Sequence, residues 1–232
     1  MSNMHSAREK ELSFNEKLNI FMNKHRKKLL FAFSAVIVCL LAFIVTLVVR
    51  ERMQANSIRQ LNTFETRFQE IRPFLDIDVF GAEDRQAEID VFLKEIEAFA
   101  AGTFGFAAAR SYNIAAEIHW ERSNWAAAEK AWLAAARAAR RSYLAPISVF
   151  NAAAAAEEQG NIEAAIELYT RALAYGDIFL GAPRAQFAIG RLHEYLNDYN
   201  AALLAYRSLV SRWPNDPIWS NLAQSRIMLL SD

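Results

Sequence analysis

An all-α chain, with one bilayer-length apolar helix followed by a stack of helical hairpins, is predicted by three observations. The first is a pattern that recurs every thirty-seven residues, beginning at Ser123, Gly160 and Asn197. The second is the run from Leu29 to Val49, 21 residues without a charge. The third is composition: 7 Gly and 5 Pro in 232 residues, abundant Ala, and no alternating apolar–polar stretch of the kind a half-buried strand needs. A fixed period between about 20 and 50 residues is the sign of a stacked array.

Each copy opens with a turn residue followed by Asn or Asp, then a large apolar residue and an Ala three places on: Trp125 and Ala128, Ile162 and Ala165, Tyr199 and Ala202. Four residues later comes an aromatic (Trp132, Tyr169, Tyr206), and three after that Ala135, Ala172 or Leu209. Offsets of this size fall on one face of a helix, so the small residue lets a neighbouring helix approach and the aromatic fills the gap one turn away. Upstream, Ala115-Ala116, Ala152-Ala153 and Ile189-Gly190 supply the matching close-contact points on the first helix of each hairpin.

The apolar run from Leu29 to Val49 is long enough to span a bilayer core as a helix. A buried core helix of this length would keep some polar face, and this one has none. Arg50-Glu51-Arg52 follow it directly in place of a small-x-small cleavage site, so an uncleaved anchor is expected rather than a removed signal peptide. Cys39, with Val38 before it, does not fit a lipid-attachment site, and a single cysteine excludes an internal disulfide. Lys24, Arg26, Lys27 and Lys28 precede the run, against Arg50 and Arg52 after it, which orients the N-terminus to the cytoplasm. The formal net charge of zero conceals +4 on residues 1–28 (seven basic, three acidic) and −4 on residues 50–232 (19 basic, 23 acidic).

Residues 1–12 are expected to lack order. Ser13 to Glu16 fits a capping box opening a helix with Phe14, Leu18, Phe21 and Met22 on one face; it reads equally as an interfacial helix or a polar tail. Past the span, Ile58, Leu61, Phe64, Phe68 and Ile71 form a seam that Pro73 should end. Two uses of that seam stay open: a short coiled coil with a second copy, or packing against the repeats, the favoured one. Residues 74–83 read as a loop. Residues 84–100 form an amphipathic helix with Ile89, Phe92, Leu93, Ile96 and Phe99 on one side, broken at Gly102-Thr103-Phe104-Gly105. That helix would stack on the one at 106–121 as the second half of a degenerate leading repeat.

Little in the chain carries chemistry. The four histidines are dispersed, and no metal-spaced Cys/His cluster, nucleotide-binding glycine loop, nucleophile elbow or paired catalytic carboxylates occur. No cofactor, metal or catalytic residue is therefore expected. Arg137, Arg140 and Arg141 suit the C-terminal end of a helix, and the net negative charge after the span opposes nucleic acid as a partner.

The register of the repeats resembles the tetratricopeptide repeat (TPR), a helix–turn–helix unit. The third copy carries most of the likeness: Ile189-Gly190, Ala202, Tyr206 and Pro214, followed by Trp219, Leu222 and Ala223 in the spacing of a lone capping helix. The resemblance covers about 109–230 and implies a TPR-like solenoid of about three hairpins plus a C-terminal cap. The period exceeds the family's 34 by three, so connections such as Gly176 to Pro183 should be long.

The resemblance further implies that first helices line a groove for protein or peptide partners. Carried over residue by residue, the lining becomes Arg110, Asn113, Glu117 and Trp120; then Ile147, Phe150, Ala154 and Glu157; then Arg184, Phe187, Arg191 and Glu194. The family's carboxylate clamp is only partly present, because its positions hold Asn113, Glu117, Asn151, Arg184 and Ala188. The layout expected is a cytoplasmic basic tail at 1–28, a transmembrane helix at 29–49, a juxtamembrane helix at 50–72, a linker and leading helix at 73–108 and repeats at 109–232. It is similar to that of bacterial inner-membrane TPR proteins accompanying the Sec translocon and periplasmic chaperones. The implied function is an adaptor on the extracytoplasmic side, with translocon subunits or periplasmic chaperones as candidate partners. The alternative is a scaffold for envelope assembly or division that forms a weak homodimer through 53–72.

Overall fold

The computed structural model describes residues 14–75 and 82–231, and among them there are nine α-helices and no strand. The expectations for residues 1–12, for the Ser13 capping box and for most of the loop at 74–83 fall outside the described residues. The chain divides into two compact units, 1–53 and 54–232.

Helix α1 (Phe14–Ile71) runs through the first unit and into the second. In the first unit the side chains from Leu29 to Val49 are exposed, as a stretch of mean hydropathy 3.0 with nothing packed on it. The helix is long and apolar enough to cross a membrane. Its two hydroxyls bond backward along the helix, Ser34 to the Leu30 carbonyl at 2.9 Å and Thr46 to Ala42 at 2.8 Å. Neither therefore presents an unsatisfied donor in apolar surroundings.

The second unit begins with the C-terminal turns of α1. Leu61, Phe68 and Ile71 are buried there, and Phe64 is half-buried. After Ile71 a single 3-10 turn at Arg72–Phe74 absorbs Pro73, which has no amide hydrogen to continue the α-helix. Helix α2 (Ala82–Gly102) lays Ile89, Phe92 and Ile96 on this seam, and Ile114, Ala115 and Ile118 of the next helix complete the cluster. Phe64 meets the rings of Phe92 and Phe99 at 5.9 and 5.1 Å. The seam is thus covered within the chain, as the favoured reading holds.

Three hairpins follow: α3 (Gly105–Glu121) with α4 (Trp125–Ala138), α5 (Leu144–Glu158) with α6 (Ile162–Leu173), and α7 (Ala182–Tyr195) with α8 (Tyr199–Arg212). Helix α9 (Trp219–Ser231) packs on α8 and α7. The turn within each hairpin is built the same way. Ser123, Gly160 and Asn197 take positive φ of 55, 76 and 60°. In each case the amide of that residue and the next bond back into the last turn, as Gly160 to Glu157 and Asn161 to Ala156 do at 2.8 and 2.9 Å. This left-handed cap closes the first helix, and Asn124, Asn161 or Asp198 then opens the second.

The small residues sit where helices cross. Ala128, Ala165 and Ala202 are fully buried, as are Ala135, Ala172 and Leu209, and Trp132, Tyr169 and Tyr206 fill the space beside them. Gly190 is the tightest crossing, since a Cβ there would lie 2.5 Å from the Tyr206 ring. The connection from α6 to α7 contains a 3-10 turn at Gly176–Ile178, and its Phe179 is buried in the core of the repeats. The extra residues of the long period therefore act partly as packing.

Candidate functional site

The first helices of the hairpins, α3, α5 and α7, carry the residues expected to line a groove. Phe150 and Phe187 stand at the same place in α5 and α7, thirty-seven residues apart. Each rests half-buried on the tyrosine of its own hairpin: Phe150 on Tyr169 at 5.2 Å and Phe187 on Tyr206 at 5.3 Å. Phe187 also touches Trp219 of α9 at 5.5 Å. Arg184, exposed on the first turn of α7, lies over the Phe150 ring at 5.1 Å and has no ion-pair partner among the described residues. Ile147 is 42% exposed beside them in sequence register. Arg184 and Phe150 are thus in contact, with Ile147 and Phe187 one turn away on the same faces of α5 and α7, as an apolar strip with one unpaired cation.

The other charged residues of the expected groove, Arg110, Glu117, Glu157, Arg191 and Glu194, are bound within the chain. Glu157 takes both guanidinium nitrogens of Arg191 at 2.7 Å, a fork that ties the second hairpin to the third. The Tyr169 hydroxyl reaches the same carboxylate at 3.4 Å. One repeat later Glu194 accepts the Arg226 guanidinium from α9 and the Tyr206 hydroxyl at 2.5 Å. Burial, reinforced by the neighbouring carboxylate, pushes both phenols well above the ordinary tyrosine range. The Arg226 bond holds the Glu194 carboxyl below its ordinary value. At neutral pH Glu194 is therefore an ionised carboxylate receiving a phenol and a guanidinium.

In the first hairpin the same two positions hold Trp120 and Trp132, whose rings meet at 5.5 Å, with Trp125 at 4.7 Å from Trp120. Arg110 bonds Glu65 of α1 at 2.9 Å and Glu117 at 3.3 Å, fastening the C-terminal turns of α1 to the first hairpin. Asn113, expected in the groove, is buried instead. It donates to the Ala109 carbonyl at 2.9 Å and accepts from Ser148 at 3.0 Å, which makes it a contact between α3 and α5. Ala154 is half-buried on α5.

The ties themselves were not expected from sequence. A signal existed: Glu157 and Glu194 share the repeat register, each with a Tyr twelve residues on and an Arg 34 or 32 residues on. Among the described residues no group of three or more His, Cys, Asp or Glu could hold a metal ion. Chemically, the site can present apolar and aromatic area and a single guanidinium to a partner.

The tetratricopeptide repeat family model matches residues 114–183 and 150–217. A TPR repeat-containing protein of Treponema pallidum (strain Nichols) is 37% identical over 158 residues, which is 67% of this chain and 65% of that relative. The chain thus spans a little under two thirds of that relative's length. TPR units are protein-interaction modules, and their helix order, caps and small-residue crossings are those found here. On its repeats and on this match, the chain belongs to the tetratricopeptide repeat family.

Proposed function

We infer that this protein is a membrane-anchored adaptor, not an enzyme, whose first-helix surface binds protein or peptide partners on the extracytoplasmic side. The observation that carries it is the strip of Ile147, Phe150, Arg184 and Phe187, left partly accessible while the other groove arginines, Arg110 and Arg191, are held in ion pairs. Aromatic area framing one arginine is the composition of an interaction hot spot. In this reading residues 1–28 are a cytoplasmic tail, 29–49 the span, 50–72 a juxtamembrane helix, 73–108 the linker and leading helix, and 109–232 the binding domain. Anchoring raises the effective concentration of partners held near the same surface without any new contact. The bacterial inner membrane, with translocon subunits or periplasmic chaperones as partners, suits that arrangement.

The test is co-purification of the full chain from detergent, beside an Arg184→Glu/Phe187→Glu variant with unchanged helicity. Translocon subunits or periplasmic chaperones should accompany the wild type and be lost with the variant. Their absence from both, even after crosslinking, removes that choice of partner. The homodimeric scaffold is the weaker reading, because Leu61, Phe68 and Ile71 of its proposed interface are buried in the chain.

A further inference from the structure

A row of exposed apolar residues runs along one edge of the repeats and is not used by the groove. Phe106, Tyr143, Leu180 and Ile218 stand at or just before the starts of α3, α5, α7 and α9, spaced 37, 37 and 38 residues apart. Their exposures are 36, 59, 93 and 59%. The interior has been filled by other residues of the same connections, such as Phe179, which is buried beside Leu180. Folding within the chain does not account for a large apolar residue left in water at the same place in four successive elements.

Charge divides along the same axis. The connections on this edge, with the last turns of α4, α6 and α8, carry Arg137, Arg140, Arg141, Arg171 and Arg212 against Asp177 and Asp216. All five arginines are exposed, and none has an ion pair among the described residues. The opposite edge, formed by the turns within the hairpins, carries Glu121, Glu157, Glu158, Glu163, Glu194 and Asp198 against Arg122 and the Arg191 and Arg226 partners of Glu157 and Glu194. One edge is therefore basic and studded with apolar side chains, and the other is acidic.

The chain also enters this unit at the basic edge. Thr103, in the turn before α3, donates to the Ser57 hydroxyl of α1 at 2.8 Å. Ser57 is eight residues past Val49, the end of the apolar run. Eight residues reach at most about 29 Å whatever their conformation.

We propose that this edge is a lipid-binding face that seats the repeat unit on an anionic bilayer surface. The proposal rests on the anchoring of α1 in that bilayer. Arginines reach the phosphate layer while Tyr143, Leu180 and their counterparts enter the headgroup–acyl boundary, and the acidic edge is left turned to water. The first-helix strip begins in the first turns of α5 and α7, at Ile147 and Arg184, and continues along those helices away from this edge, where Phe150 and Phe187 stay open to a protein.

The test uses the full chain with Cys39→Ala and one new cysteine at position 143 or 180, or at 195 or 204 for comparison. Tyr195 and Leu204 are 72 and 68% exposed away from this edge. Each variant carries an environment-sensitive fluorophore in vesicles of phosphatidylglycerol and phosphatidylcholine that contain a shallow spin-labelled lipid. Quenching at 143 and 180 should exceed that at 195 and 204 severalfold, and should fall when Arg140 and Arg141 are changed to Glu. Equal quenching at all four positions overturns the proposal; quenching unmoved by the arginine changes overturns its electrostatic part. Alkaline extraction of the same vesicles separates the two claims. A chain washed off the vesicles refutes the anchor and this proposal with it, whereas a retained chain with equal quenching refutes the lipid face alone.

Discussion

Replacing Gly190 with Ala tests the closest crossing in the repeats. In an exposed helix the change would stabilise by about 1 kcal/mol, because Ala has less backbone freedom to lose. Here the new Cβ would sit 2.5 Å from one carbon of the Tyr206 ring and 2.8 Å from two more. That ring has nowhere to go: Tyr206 is fully buried, tilted against Phe187 and bonded through its hydroxyl to Glu194. Overpacking of this kind costs about 2–3 kcal/mol, and moving the ring forfeits a hydrogen bond of about 1 kcal/mol. Against the helix gain, the net loss is about 2–3 kcal/mol, a fall of roughly 4–12 °C in Tm for a unit of this size. Thermal unfolding followed by circular dichroism in detergent reads it. Gly102→Ala is the control, since a Cβ there meets nothing within 4 Å. A double variant with Tyr206→Leu should recover part of the loss, giving a favourable coupling between the two sites. A Gly190→Ala protein as stable as the wild type would refute the packing of α7 on α8.

Three further outcomes follow from the same geometry. Ala165→Leu and Ala202→Leu each put a larger side chain into a fully buried crossing and should cost about 1–3 kcal/mol; melts unchanged by both would mean the register is wrong. Because the Glu194 carboxyl is held below its ordinary value, its contribution is present above about pH 4.3 and is lost as pH falls through the folded-state value. Glu194→Gln should therefore lower Tm at pH 7 and narrow the gap between wild type and variant at pH 3, and a constant gap would contradict the tie. Phe64→Asp should destabilise the leading hairpin by about 2 kcal/mol or more, by placing a charge against Phe92 and Phe99. A variant that instead keeps its Tm and only loses a concentration-dependent dimer in light scattering would restore the coiled-coil reading.

The hairpins were legible because their determinants are local and periodic. Ala128, Ala165 and Ala202 with an aromatic four residues on specify a helix face, and the Ser123, Gly160 and Asn197 caps fall at the same register. The apolar strip at Phe150 and Phe187 was legible for the same reason. The ties from Glu157 to Arg191 and from Glu194 to Arg226 were not, because their partners lie in the next repeat at unequal separations. Asn113 was assigned to the groove by register alone. Its burial depends on Ser148 of α5 standing opposite, which is a tertiary fact. The row from Phe106 to Ile218 was not legible, since residues at the very start of a helix or just before it define no helical face.

The central claim is that a partner protein lands on the first-helix strip, and in-cell photocrosslinking from single positions tests it most directly. A photoreactive residue at Arg184 or Phe187 should give discrete adducts, identified by mass spectrometry, that are absent from the same residue at Leu204, an exposed position on α8. Adducts equally abundant from Leu204, or none from either strip position, would contradict the account.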